Sequence, residues 1–186
     1  FPENGVYIQA DISLPEKIEE IYEKVSAITS TLDAVVNNAA IQIAKPLVDT
    51  TAGEWDMVMA SNLRSVFLGA KLAFPLLKAE GGGAIVNVSS VHAVATSENM
   101  AAYVTSKGAL TALTRAAALE LGHDNIRVNV VLPGAIDTEM LRAGLSRGHV
   151  KGNSVDERLD KLGRKHAIGR VGKPEEIGEL ILFLSD

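Results

Sequence analysis

Gly81-Gly82-Gly83-Ala84-Ile85-Val86-Asn87-Val88-Ser89-Ser90 is the stretch on which the fold turns. Three glycines make a turn. Ala84 to Val88 then form a short, nearly continuous apolar run of the kind found in strands buried on both faces. Two serines end the run where a strand should leave its sheet. Upstream, Thr51-Ala52-Gly53-Glu54 has the spacing of a capping box, and Trp55, Val58, Met59, Leu63 and Phe67 continue a helical pattern to about Lys78. Downstream, Ala101 to Gly122 reads as a long alanine-rich helix ending in glycine. Arg127 to Leu132 follows as a strand cut off by Pro133-Gly134.

Further out the alternation continues. Asp33-Ala34-Val35-Val36 is a brief strand-like run leading into Asn37-Asn38-Ala39-Ala40, and Val6 to Gln9 reads as another short strand ending at Ala10-Asp11. Between them Ser13 is expected to cap a helix with Glu16 as its capping-box acid, Pro15 in the first turn, and Ile18, Ile21, Tyr22 and Val25 as the apolar stripe. Pro174-Glu175-Glu176 opens the last helix. Residues 139 to 166 are charged and carry Gly144, Gly148, Gly152 and Gly163 without a sustained period. They read either as a lid or as a solvated loop with helical pieces. Strands alternating with helices predict an α/β fold: a doubly wound parallel sheet, three layers αβα, in one domain over residues 1–186.

Composition narrows the function. The chain has 186 residues, 47% of them hydrophobic and 22% charged, and a net charge of −5. No basic stripe exists to neutralise phosphates, so no nucleic-acid partner is expected. The longest apolar runs, such as Leu180 to Leu184, fall far short of the ~20 residues of a membrane span, so no membrane partner is expected either. The absence of cysteine excludes disulfide scaffolds, cysteine nucleophiles and thiolate metal sites, and fits a cytoplasmic location. His92, His123, His149 and His166 have no ligand spacing, so no metal is expected. There is no phosphate-binding Gly-x-x-x-x-Gly-Lys.

Ligands of open parallel sheets sit outside the carboxyl ends of the strands. Those ends carry Asp11, Asn37 to Ala40, Ser89-Ser90, and Pro133-Gly134-Ala135-Ile136-Asp137-Thr138, a polar rim that ordinary turn chemistry also favours. Tyr103 and Lys107 lie at i and i+4 on one face of the helix that follows Ser90. The pair reads as an acid–base catalyst or, blandly, as an amphipathic helix with a surface lysine. Using a phenol of pKa near 10 at neutral pH needs a drop worth about 3–4 kcal/mol. A cation at ~4 Å in an effective dielectric of 20 supplies about 4 kcal/mol. Ser90 is placed to hold the reacting oxygen, and His92 is the one histidine expected near a substrate.

With these motifs together, the chain resembles the short-chain dehydrogenase/reductases, in their single-domain NAD(P)-dependent branch. The marks are Asp11-Ile12, Asn37-Asn38-Ala39-Ala40, Asn62, Val88-Ser89-Ser90, Tyr103-Val104-Thr105-Ser106-Lys107, Pro133 to Thr138, and Gly172-Lys173-Pro174-Glu175-Glu176-Ile177. Tyr103 stands 13 residues after Ser90, which selects the second serine. The resemblance implies a Rossmann-like sheet, NAD or NADP as cofactor, and a secondary alcohol or ketone as substrate. It makes Tyr103 the proton donor or acceptor, Ser90 the holder of the substrate oxygen, and Asn62 the holder of a relay water. Lys107 would lower the Tyr103 pKa and bind the nicotinamide ribose. Asp11 and Ile12 would contact the adenine, Asn38, Ala39 and Ala40 the ribose, and Pro133, Gly134, Ile136 and Thr138 the nicotinamide end. Ala40 replaces the glycine usual in the family.

The resemblance further implies a homo-oligomer, dimer or tetramer, through the helices at Glu54–Lys78 and Ala101–Gly122. Their small residues Ala109, Ala112 and Ala116 either permit that approach or only pack on the sheet. The family's Gly-rich pyrophosphate turn and first two strands are absent from these residues, as is its last strand. The sheet is therefore expected to be incomplete at both ends, and the parent protein longer. Substrate choice is expected in the loop Val91 to Met100 and the lid. His92, Glu98 and Asn99 incline that loop to a sugar or polyol, with a 3-oxoacyl thioester second. An elimination or epimerisation enzyme of the same fold, or a non-catalytic Rossmann-type scaffold, remains the alternative.

Overall fold

Helix starts follow local chemistry. In the structure, a computed structural model that describes residues 5–146 and 151–186, Thr51 accepts the Glu54 N–H. The Glu54 carboxylate takes the Thr51 N–H in return at 2.8 Å. The expected capping box therefore opens α2 (Ala52–Met59). The chain then loosens into a single π turn, Ala60–Arg64, before continuing as α3 (Ser65–Glu80). The box expected at Ser13 does not form. Leu14 occupies the N-cap of α1 (Pro15–Ile28) with no side-chain bond, and the Asp11 carboxylate instead takes the Ser13 N–H at 2.9 Å. Pro15 at the first helical position needs no N–H partner, which makes that start possible without a cap.

Among the described residues, three parallel strands form the sheet in the order β1 (Ala34–Asn37), β2 (Gly83–Val88), β3 (Ile126–Val131). Asn37 lies opposite Asn87, and Val88 opposite Val131. Val6 to Gln9, expected as a strand, joins no ladder among the described residues. Its apolar alternation is real, but a strand needs a neighbour to take its backbone bonds, and Val6 stays exposed.

The glycine triplet is where the strands meet the helices. Gly81 ends α3 in the left-handed region at φ 97°. Gly83 opens β2 at φ 150°, where a Cβ would run into the Asp33 carbonyl oxygen. That close approach lets Ala84 N–H reach Asp33 O at 2.9 Å and joins β2 to β1.

Period-two alternation on β2 then sorts its faces. Ile85 packs with Ile126, Val128, Ala73 and Leu77 under α3 and α4 (Ala101–Leu121), with Tyr22 of α1 beside them. Val86 and Val88 turn the other way with Val131, against Ile181 and Leu184 of α7 (Pro174–Ser185). Helices thus cover both faces, three layers as predicted. Two short helices follow β3 before α7, α5 (Glu139–Leu145) and α6 (Val155–Gly163). Leu145 and Leu159 bury each other with Leu141, Val155, Leu162 and Val171, so the two helices share a small core of their own. Gly148 and His149 of the lid segment lie outside the described residues.

Candidate active site

Parallel strands bring their carboxyl ends to one edge, and hydrogen bonds beyond the ladder keep them together. Ser89 N–H reaches Val131 O at 2.8 Å and Val91 N–H reaches Pro133 O at 2.9 Å. Ser89-Ser90 and Pro133-Gly134 therefore sit side by side. The Ser90 hydroxyl accepts the His92 N–H at 3.2 Å, starting a short 3₁₀ turn that fixes its position.

α4 supplies Tyr103 and Lys107. Both are buried, and Lys107 is only 2% exposed, which rules out the surface-lysine reading. Its ammonium donates to Val88 O at 2.7 Å, at the end of β2, and lies 5.7 Å from the centre of the Tyr103 ring. Burial pulls the Lys107 amine down to about 8. Burial also pushes the Tyr103 phenol up, and only a hydrogen bond with Ser90 opposes it. The Lys107 ammonium is hydrogen-bonded to Val88 O. Two of its three donors remain for other partners.

Asn62 sits in the π turn and is 1% exposed. Its side chain accepts the Ile41 N–H at 2.8 Å and donates to Ile41 O at 2.9 Å and Ser106 Oγ at 3.1 Å. Ser106 Oγ donates in turn to Tyr103 O at 2.7 Å. Asn62 therefore fastens the segment after Asn38-Ala39-Ala40 to the helix that carries Tyr103. A single π turn frees backbone groups and recurs at functional sites. Arg64, at the end of that turn, reaches Ser13 O at 2.7 Å. This bond ties the turn that follows Asp11-Ile12 to the π turn.

On the far side, Ile136 forms an isolated parallel bridge with Gly172. Asp137 N–H bonds Gly172 O, and Gly172 N–H bonds Ala135 O. In such a bridge the N–H of Ile136 itself faces away from Gly172. Thr138 caps α5, its hydroxyl accepting the Leu141 N–H. His92 meets Tyr103 edge-on, with ring centres 6.0 Å apart and planes at 79°, and burial lowers its pKa.

Sequence reasoning quoted Ser89 and Ser106 within motifs but assigned them no role. Both are buried braces. Ser89 Oγ donates to Lys107 O at 2.8 Å, and Ser106 links Asn62 to Tyr103. It passed over Gln42, whose amide reaches Met100 Sδ at 3.2 Å. A polar residue between Ile41 and Ile43 was the available signal. His166, set aside as a loop residue, lies against Gly134.

A parallel sheet clad by helices on both faces, with polar side chains gathered at the strands' carboxyl edge, defines an α/β protein of the Rossmann type. The family model described as enoyl-(acyl carrier protein) reductase matches residues 1–186, and the chain belongs to the short-chain dehydrogenase/reductase family. It is 37% identical over 175 residues to a chloroplastic tropinone reductase homologue of Arabidopsis thaliana, covering 94% of this chain and 52% of that one. The chain thus spans about half the length of that relative. The ligand-free structure of Thermoplasma acidophilum aldohexose dehydrogenase superimposes with a TM-score of 0.90 at 29% identity, over 100% of this chain and 74% of the other. A putative NAD(P)-dependent gluconate 5-dehydrogenase from Beutenbergia cavernae, with NADP bound, gives 0.85 at 28% identity over 96% and 68%.

Proposed function

We propose that this chain carries the catalytic part of an NAD(P)-dependent oxidoreductase that interconverts a secondary alcohol and its ketone. The observation that carries this reading is the buried Tyr103–Lys107 pair beside Ser90, at the edge where three parallel strands end. The residues suit the nicotinamide half of such a cofactor. Lys107 keeps donors for ribose hydroxyls, the Ile136 N–H faces away from its Gly172 bridge, and Thr138, Pro133 and Gly134 line the same side. Asn38, Ala39, Ala40, Asp11 and Ile12 are assigned to the ribose and adenine. The cofactor, when bound, takes or supplies the hydride.

In the oxidising direction Ser90 holds the alcohol oxygen and Tyr103 removes its proton as the hydrogen on the carbinol carbon leaves with its electron pair. The Asn62 side chain is already committed to Ile41 and Ser106, so a relay water at this position would use the Asn62 backbone carbonyl. Helices α5 and α6 are the lid over this edge, and with Val91 to Met100 they choose the substrate. His92 beside Tyr103 supports a sugar or polyol, as do the names of the aldohexose and gluconate relatives. A 3-oxoacyl thioester is the second reading.

Exposed Met57, Phe67 and Leu119 on the outer helices support a homo-oligomer, read as a tetramer. No described helix is long and apolar enough to cross a membrane. The enzyme is read as cytoplasmic. The test is a screen of NAD and NADP with sugars, polyols and ketones, repeated with Tyr103→Phe. Turnover should fall about 10²–10⁴-fold. Survival at the unaltered rate would remove Tyr103 from the chemistry. Cofactor binding without any turnover would favour the scaffold alternative.

A further inference from the structure

Gln42 sits on a segment that is fastened on both sides. Before it, Asn62 accepts the Ile41 N–H at 2.8 Å and donates to the Ile41 carbonyl at 2.9 Å. After it, Lys45 N–H donates to Asn99 O at 2.8 Å. Asn99 takes that bond from the left-handed region at φ 64°, immediately before Met100, the N-cap of α4. The Gln42 side chain is half-buried, and its amide donates to Met100 Sδ at 3.2 Å. Met100 stands one turn before Tyr103, the spacing at which side chains on a helix are neighbours.

A thioether sulfur is a weak acceptor, and among the described residues the Gln42 amide has no other partner. An oxygen offered at the same place would hold that N–H better. His92 borders the same tyrosine from the turn after β2, its ring centre 6.0 Å from that of Tyr103. Burial holds the His92 imidazole towards its neutral form, so it offers one donor and one acceptor. Lys45, the cation closest to Gln42 in sequence, is paired with Glu54 at 2.9 Å. The groups around this end of α4 are therefore neutral. They suit a hydroxyl, which both donates and accepts, better than a carboxylate.

We propose that Gln42 is a specificity-determining residue whose amide leaves the Met100 sulfur to hold a second hydroxyl of the substrate, beside the carbinol that Tyr103 serves. The proposal rests on the dehydrogenase reading and narrows its substrate class to compounds with two neighbouring hydroxyls. Met100 is the resting partner, and the exchange loses little because sulfur holds the amide weakly. A simple alcohol leaves the amide on sulfur and gains nothing from it.

The experiment uses the full-length chain and three substrates: a cyclohexanediol with neighbouring hydroxyls, cyclohexanol, which lacks the second one, and a hydroxycyclohexanecarboxylate of the same spacing. The variants are Gln42→Leu and Met100→Leu. The unaltered chain should favour the diol over cyclohexanol about tenfold in kcat/KM, the size of one neutral hydrogen bond. Gln42→Leu should erase that preference, chiefly by raising the KM of the diol, and Met100→Leu, which frees the amide, should retain it. A second readout follows the methyl resonances of isotope-labelled methionine with NADPH present, so that no alcohol reacts. The Met100 methyl, identified by its loss in Met100→Leu, should move with the diol, stay still with cyclohexanol, and stay still with either in Gln42→Leu. Equal losses on diol and cyclohexanol in Gln42→Leu, a preference for the hydroxy acid, or a Met100 methyl indifferent to the diol would each overturn the proposal. Should the unaltered chain turn over none of the three, the dehydrogenase reading fails, and the methyl shift, which needs no turnover, still decides the role of Gln42.

Discussion

Lys107→Met offers a prediction whose size can be worked from the structure. The amine is 2% exposed and burial holds it at about 8, against the ordinary 10.5. Between these values the unfolded chain binds a proton that the folded chain has released, so stability rises with pH across that window. Keeping the charge buried costs the folded state about 3 kcal/mol at pH 7, and about 2 kcal/mol of this is regained by about pH 9.5. Methionine removes the titrating group but leaves the Val88 carbonyl without its 2.7 Å donor. That loss costs about 1–3 kcal/mol.

At pH 7 the variant should therefore equal or exceed the unaltered protein, by up to about 2 kcal/mol. By about pH 9.5 the difference should have moved about 2 kcal/mol in favour of the unaltered protein. Urea unfolding at about pH 7, pH 8 and pH 9.5 measures this. The window stops there because Tyr22, pushed by burial to about 12, begins to lower stability once unfolded tyrosine ionises near pH 10. A flat curve for the unaltered protein, or the same rise in Lys107→Met, would refute a charge-burying lysine.

Other perturbations separate chemistry from architecture. Asn62→Ala breaks three hydrogen bonds in a buried setting and should cost about 2–4 kcal/mol by denaturant titration; a cost under about 1 kcal/mol would mean that the Ile41 and Ser106 groups find other partners. Gly83→Ala places a Cβ against the Asp33 carbonyl at φ 150° and should destabilise by about 3 kcal/mol or more, whereas Gly53→Ala, with open space around it, should not. Because burial raises the Tyr103 phenol, alcohol oxidation, which needs the phenolate, should climb as pH rises towards and past the ordinary tyrosine value. Ketone reduction, which needs the phenol, should hold its rate to correspondingly high pH, and matching profiles in both directions would contradict Tyr103 as the proton carrier.

Local sequence determined the elements wherever local physics is sufficient. The Ala84–Val88 run, the Thr51–Glu54 box and the alanine-rich helix were legible because burial period, capping and helix propensity act within a few residues. The Ser90, Tyr103 and Lys107 motif was legible for the same reason, since its spacing survives in the linear chain. Val6 to Gln9 shows the limit: alternation can nominate a strand, but only a neighbouring strand makes one. The rest was decided in three dimensions. Whether Lys107 lies on the surface or is buried against Val88 O, and whether Asn62 points at a water or at Ile41, depend on chain segments far apart in sequence. Such contacts need the sheet's register to bring the partners together, and no short window of residues contains both.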